Sequence, residues 1–128
     1  LDGDFRFTRA MKENPTTFAD AIGRGVVERD IRKHPGPNAW GVQTFTSDFF
    51  HIPYRCLLPR RVDGLLMGAG RSVSSEGPWL LRVMALTMVV GQGAGVAAAV
   101  SAAGDCPPRQ VDIAQVQAEL ARQGVELA

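Results

Sequence analysis

A surplus of charge of either sign is what this 128-residue sequence lacks most plainly: 14 Lys and Arg against 13 Asp and Glu leave a net charge of +1. No basic stripe stands out beyond Arg55, Arg60 and Arg61. That balance gives no electrostatic footprint for nucleic acid, which is not expected as a partner. Cysteine is scarce as well, with Cys56 and Cys106 alone. There is no C-x-x-C pair, so no metal site is expected. The count allows one disulfide, but two free thiols in a reducing compartment is the plainer expectation. The N-terminal LDGDFRFTRAMKENP has no apolar signal core, which leaves the cytoplasm as the default location. The initiator Met is missing too, as expected of a processed product or a piece of a longer polypeptide. What the sequence does have is the balance of a soluble globular chain, 45% hydrophobic and 21% charged residues. Its length is enough for one domain with a real core.

Along the chain, Thr16, Thr17 and Asp20 carry helix-start chemistry around Phe18 and Ile22, with Gly23 and Gly25 as punctuation. Val26–Arg32 suits a short strand. His34–Gly41, HPGPNAWG, is a loop that Trp40 could pin to the body. Val42–Phe45 and Phe49–Tyr54 are two β-prone runs, and Thr46–Asp48 between them suits a hairpin connection. Pro53 places the second run at a sheet edge or strand end. A turn over Pro59–Asp63 then leads to GLLMGAG (Gly64–Gly70). Leu65–Met67 there is expected as a buried strand, with a close backbone approach at Gly68–Gly70. Ser72–Pro78 is a polar loop, and Pro78 suits the first turn of a helix. At the end, Asp112 suits a helix cap, with Gln115 at the capping-box position. Ile113, Val116 and Leu120 share one face of that helix, and Gly124 is a stop.

The run Val83–Gly104 has no charged residue. Its centre, VVGQGAGVAAAV (Val89–Val100), admits three readings. A dinucleotide-type phosphate loop needs G-x-G-x-x-G after a strand. Gly91, Gly93 and Gly95 give G-x-G-x-G, and no acid follows in a strand about twenty residues on. A membrane helix would reach about 33 Å, and Gly91 with Gly95 forms a small-x-x-x-small pair. Gly and Ala contribute little transfer energy, however, and no aromatic belt flanks the C-terminal end. A helix buried in protein fits best, so no membrane partner is expected. Gly91, Ala94, Gly95 and Ala98 would form one narrow contact stripe. Glycine costs roughly 0.5–1 kcal/mol per position in a helix, which calls for close packing in return.

Three strings in order, IPYRCLLP (Ile52–Pro59), VDGLLMGAGRSVS (Val62–Ser74) and LRVMALTMVVGQGAGVAAAV (Leu81–Val100), resemble the C-terminal part of FAD-dependent oxidoreductases of the two-dinucleotide-binding-domain class. The closing DIAQVQAELARQGVEL (Asp112–Leu127) is similar to that family's last helix. The resemblance implies an α/β fold, with residues 45–128 as the C-terminal part of an FAD-binding domain and 1–44 as the loop-rich end of a substrate-side region. It further implies FAD as cofactor and a small-molecule substrate. The contacts it implies are the strand end Gly70, Arg71 and Ser72 and the helix start Arg82, Val83 and Met84. The helix end would stabilise negative charge on a reduced flavin. The Gly/Ala stripe would pack on the N-terminal dinucleotide-binding half. That half is not in this sequence, so the chain alone is expected to bind FAD weakly or not at all and to self-associate through uncovered apolar surface. As an isolated chain it is expected to be inactive. The link SVSSEGPWLL (Ser72–Leu81) is shorter than the family's and lacks its His.

Other residues stay open between two roles. Arg71 is taken as an FAD contact rather than an ordinary strand-end arginine. Arg82 either meets the flavin or caps the loop. Arg55 with Tyr54 is favoured as a sheet-edge pair over a substrate contact. His34 and His51 are expected to be packing or surface residues rather than proton donors. Glu76 meets either substrate or solvent, and Cys56 is a small core residue. No catalytic side chain is legible; hydride chemistry would belong to the flavin. The alternative from a different class is a non-catalytic interaction domain that keeps a flavoprotein tail as a packing module.

Overall fold

The computed structural model describes residues 1–31 and 42–127, with side chains described except over 27–31 and 42–47. The expected HPGPNAWG loop, with His34 and Trp40, lies outside the described residues. In chain order come α1 (Arg9–Glu13), β1 (Ala21–Ile31), β2 (Val42–Pro53), a 3-10 turn over Tyr54–Leu57, α2 (Met84–Ala103) and α3 (Ile113–Arg122). The mix of helices with one small sheet agrees with the expected α/β class. α1 carries no sequence signal, because RAMKE has no apolar period; Thr8 caps it by accepting the Met11 N–H at 3.4 Å.

β1 and β2 form a two-stranded antiparallel sheet. Its register corrects two expectations. First, Thr16–Asp20 starts no helix; it is the turn that leads into β1. The side chains that cap helices also stabilise turns. Here the Thr16 carbonyl accepts the His51 N–H at 3.2 Å, and the Asp20 carboxylate accepts the Arg55 N–H at 3.1 Å. Gly23 and Gly25 consequently lie inside a strand. At Gly25 a Cβ would stand 2.5 Å from Phe50 Cζ and 2.6 Å from Leu86 Cδ2, so the missing side chain makes room for the core. Second, Thr46–Asp48 is no hairpin turn. Val26 pairs with Phe49 and Glu28 with Phe45, so three β2 residues oppose one β1 residue. The polar triplet is an irregularity of bulge type within one continuous strand. Pro53 ends that strand, as expected.

α2 begins at Met84, not near Pro78. The segment before it is held in a non-helical path by Leu80 and Leu81, which are fully buried in the core. Leu65–Met67 forms no strand. A strand needs a neighbour for its ladder; here the Met67 N–H goes to the Leu57 carbonyl at 3.0 Å instead. Leu65 is exposed, and Leu66 and Met67 are only half-buried.

The core joins Phe7, Ile22, Phe50, Ile52, Leu57, Val73, Leu80, Leu81, Val90, Ala97, Val116 and Leu120. α2 contributes Leu86, Val90, Gly93, Ala94, Ala97 and Ser101, at helical spacing along one face. β1 and α2 approach closely at two glycines: a Cβ on Gly93 would lie 2.7 Å from Ile22 Cδ1, and one on Gly23 would lie nearer still to Val89 Cγ1. α3 follows its sequence reading closely. Asp112 caps it by accepting the Ala114 N–H at 2.9 Å, and Val116 and Leu120 are buried. It ends at Gly124, φ 85°, where Gly124 N–H donates to the Ala121 carbonyl and Val125 N–H to the Leu120 carbonyl. Those two bonds are a Schellman cap, which uses the glycine's left-handed backbone. Gln117 donates to the Ala19 and Ala21 carbonyls at 2.8 and 3.0 Å, tying α3 to the start of β1. Arg109 fastens the N-terminal residues: its guanidinium pairs with Asp4 and with Asp63, the latter at 3.0 Å.

Candidate functional site

Two separate segments meet at the start of α2. The first is the turn after GLLMGAG. The Ala69 carbonyl accepts the Ser72 N–H at 2.9 Å, the Ser72 hydroxyl at 2.8 Å and the Val73 N–H at 3.3 Å. This folds the chain back on itself and leaves Arg71 at the outside, exposed. The second segment is Leu81–Met84, the approach to α2. Gly70 is the joint between them. A Cβ on Gly70 would lie 2.8 Å from the Leu81 carbonyl carbon and nearer still to its oxygen. Only a residue without a side chain lets those backbones touch. Arg71 follows Gly70 and Arg82 follows Leu81, so the contact brings both arginines to one region.

The helix end there is uncapped. Val83 is its N-cap residue, with φ −65° and ψ 146°, and offers no side-chain acceptor. The first backbone bond of the helix runs from Thr87 N–H to the Val83 carbonyl at 3.0 Å. The N–H groups of Met84, Ala85 and Leu86 precede it and have no helical acceptor, which makes the positive pole of the macrodipole. Arg82 is exposed, Val83 half-buried and Met84 83% exposed. Among the described residues neither Arg71 nor Arg82 has an ion pair or a hydrogen bond. Two unpaired guanidinium groups beside free N–H donors are suited to an anionic group.

The link between the two segments is anchored on the N-terminal residues. The Ser74 hydroxyl accepts the Gly3 N–H at 3.1 Å, and the Ser74 carbonyl accepts the Phe7 N–H at 3.0 Å. Glu76 accepts the Arg9 N–H at 2.8 Å, which gives it a loop-fastening role. Lys12 donates to the Leu80 carbonyl at 3.0 Å. The joint at Gly70 is thereby braced by residues nearly seventy positions away.

The other candidates are occupied structurally. Arg55 makes a two-pronged pair with Asp20, at 2.8 and 3.2 Å, and lies 4.7 Å over the Phe5 ring. The Tyr54 hydroxyl donates to the Pro108 carbonyl at 2.7 Å, and burial pushes its pKa up to about 12. His51 Nδ1 accepts the Phe18 N–H at 3.3 Å, a packing role. Cys56 and Cys106 are both free. The Cys56 thiol is buried, donates to the Pro53 carbonyl at 3.0 Å, and is pushed up to about 12 by that burial. Among the described residues no three His, Cys, Asp or Glu side chains come together as metal ligands.

The expected Gly91, Ala94, Gly95 and Ala98 stripe is divided. Ala94 is buried, and Gly91 lies close to the Gly68 carbonyl, 3.3 Å from a Cβ built on it. Gly95 and Ala98 are exposed, and nothing stands within 4 Å of a Cβ on Gly95. Met84 and Met88, 83% and 73% exposed, extend that open face. α2 is long and apolar enough to cross a membrane by length and composition, yet its other face is buried against β1 and α3.

The sequence reading missed Thr87. Its hydroxyl donates to the Leu81 carbonyl at 3.4 Å, and a Cβ on Gly70 would lie 3.1 Å from its oxygen. A lone Thr in an apolar helix carries no pattern that marks such a contact.

Residues 1–120 match the family model described as FAD dependent oxidoreductase. No curated protein and no solved structure matches the chain.

Proposed function

The chain belongs to the FAD dependent oxidoreductase family, and from that premise we propose that its Gly70–Ser72 turn and its Arg82–Met84 helix start form one contact surface for FAD. The observation that carries this reading is the seat of Gly70 on the Leu81 backbone, which gathers two unpaired arginines and an uncapped helix end. That donor set fits the cofactor's anionic parts. When bound, FAD supplies the hydride-accepting ring and the redox chemistry. The chain's own residues do the binding and the electrostatics. Arg71 and Arg82 hold negative charge by charge-assisted hydrogen bonds. The N–H groups of Met84, Ala85 and Leu86 favour an anion at the helix end, including one that develops on reduction.

In this reading the chain is the C-terminal portion of the oxidoreductase, with 45–128 belonging to the FAD-binding domain and 1–44 to the substrate side. Leu65–Gly70 would find its ladder partner in a dinucleotide-binding half, which also covers the exposed face of α2. The buried face of α2 supports a core helix rather than a membrane span. The small-molecule substrate meets residues outside this surface. Without the other half the chain binds FAD weakly and self-associates.

The exposed Met84, Met88, Gly95 and Ala98 face favours a second reading, a packing module without catalysis. Flavin absorbance in the purified polypeptide of the complete gene separates the two. The direct test is an FAD titration, followed by flavin fluorescence, of the polypeptide encoded by the complete gene. Replacing both arginines (Arg71→Gln with Arg82→Gln) is expected to raise Kd about 10- to 100-fold, since each charged hydrogen bond contributes roughly 1.5–3 kcal/mol before screening at exposed sites. An unchanged Kd would contradict the contact surface.

A further inference from the structure

We infer that Thr87 is a positioning residue for this surface: its hydroxyl holds the Leu81 carbonyl against Gly70 and so sets the Arg71 turn relative to the start of α2. The inference rests on the reading that the surface binds FAD. Its observations are independent of that reading. Thr87 is the fourth residue of α2, and its hydroxyl donates to the Leu81 carbonyl, two residues before the N-cap, at 3.4 Å. A threonine inside a helix commonly bonds a carbonyl three or four residues back within the same helix. This one reaches six residues back, out of the helix and onto the incoming chain. The geometry is akin to the hydrophobic staple, in which the fourth helical residue packs on the residue directly before the cap, but here the grip falls one residue further out.

The gripped carbonyl is also the one on which Gly70 rests, and a Cβ on Gly70 would stand 3.1 Å from the Thr87 hydroxyl. The hydroxyl therefore bonds one segment of the surface and borders the space in which a Gly70 side chain would stand. Leu81 is fully buried, so its carbonyl cannot turn to water for a substitute donor. No ion pair among the described residues restrains Arg71 or Arg82. Their separation is then set by the backbone contact, and Thr87 holds that contact.

Thr87→Val keeps the shape and removes the donor, whereas Thr87→Ser keeps the donor. In the polypeptide of the complete gene, Thr87→Val is expected to raise the FAD Kd at least tenfold. It is also expected to lower the flavin midpoint potential, by about 30 mV for each tenfold loss of preference for the two-electron-reduced form. Thr87→Ser is expected within twofold of the parent in Kd, with the parent's potential. If Thr87→Val fails to fold, Thr87→Ala against Thr87→Ser supplies the same comparison. Thr87→Val with the parent's Kd and potential overturns the role of Thr87, and so does Thr87→Ser behaving like Thr87→Val. If the arginine replacements weaken FAD while Thr87→Val does not, Thr87 fails alone and the surface stands. A parent protein that binds no FAD overturns the surface and the role of Thr87 with it.

Discussion

Gly70→Ala is expected to abolish flavin retention while leaving most of the fold in place. The added methyl would lie 2.8 Å from the Leu81 carbonyl carbon, a separation that real Cβ atoms do not tolerate. The obstacle is backbone, so no rotamer change relieves it. The Ala69–Val73 turn must move away from Leu81, and Arg71 moves with it. Overpacking of this kind costs roughly 1–3 kcal/mol. That is a fraction of the stability of a domain, so the protein stays folded while the two arginines part. Gly70→Ala, purified as the polypeptide of the complete gene, should show the parent's circular dichroism and lack the flavin bands. A variant that keeps both its fold and the parent's flavin content would show that the Gly70–Leu81 contact does not organise the surface.

Phe50→Ala is expected to be the most destabilising single replacement in the described core. Phe50 is fully buried, with its ring 5.7 Å from that of Phe7 and 5.9 Å beneath the Lys12 ammonium. It also occupies the space left by the missing side chain of Gly25. The ring therefore joins β1, β2, the N-terminal segment and α1 at one point. Removing a buried phenylalanine costs roughly 3–5 kcal/mol, through lost transfer energy and the cavity left behind. In a chain of this length that is a fall of about 10–15 °C in Tm. Thermal denaturation followed by circular dichroism measures it, and a loss of less than about 3 °C would mean that the core does not centre on this ring. Lys12 also donates to the Leu80 carbonyl, so Phe50 and the link that carries the candidate surface share a support.

Much of this molecule is legible in its sequence, and the illegible parts have physical reasons. α3 is readable to its ends because each signal is local: Asp112 caps, Val116 and Leu120 repeat on one face, and Gly124 takes the left-handed turn. The helical nature of the Val83–Gly104 run is readable too, but its start is not. Pro78 suits a first helical turn, yet Leu80 and Leu81 gain more by entering the core, a tertiary effect that no local propensity carries. Thr46–Asp48 has hairpin composition, and only long-range pairing with Val26 and Glu28 makes it an irregularity within a strand. Leu65–Met67 has strand composition without a strand partner. At the candidate surface the family resemblance points to the two segments. What brings them together, Gly70 on Leu81 with Thr87 behind it, depends on chain packing that no spacing in the sequence encodes.

If the Gly70–Ser72 turn and the Arg82–Met84 helix start face FAD together, bound FAD shields both. Hydrogen exchange of the complete gene's polypeptide, with and without saturating FAD, tests this most directly. Ligand contact and rigidification slow amide opening where they act. Joint protection of peptides covering residues 68–73 and 82–88 is the expected result. Protection confined to α3 or to residues 1–14, with those two peptides unchanged, would contradict it.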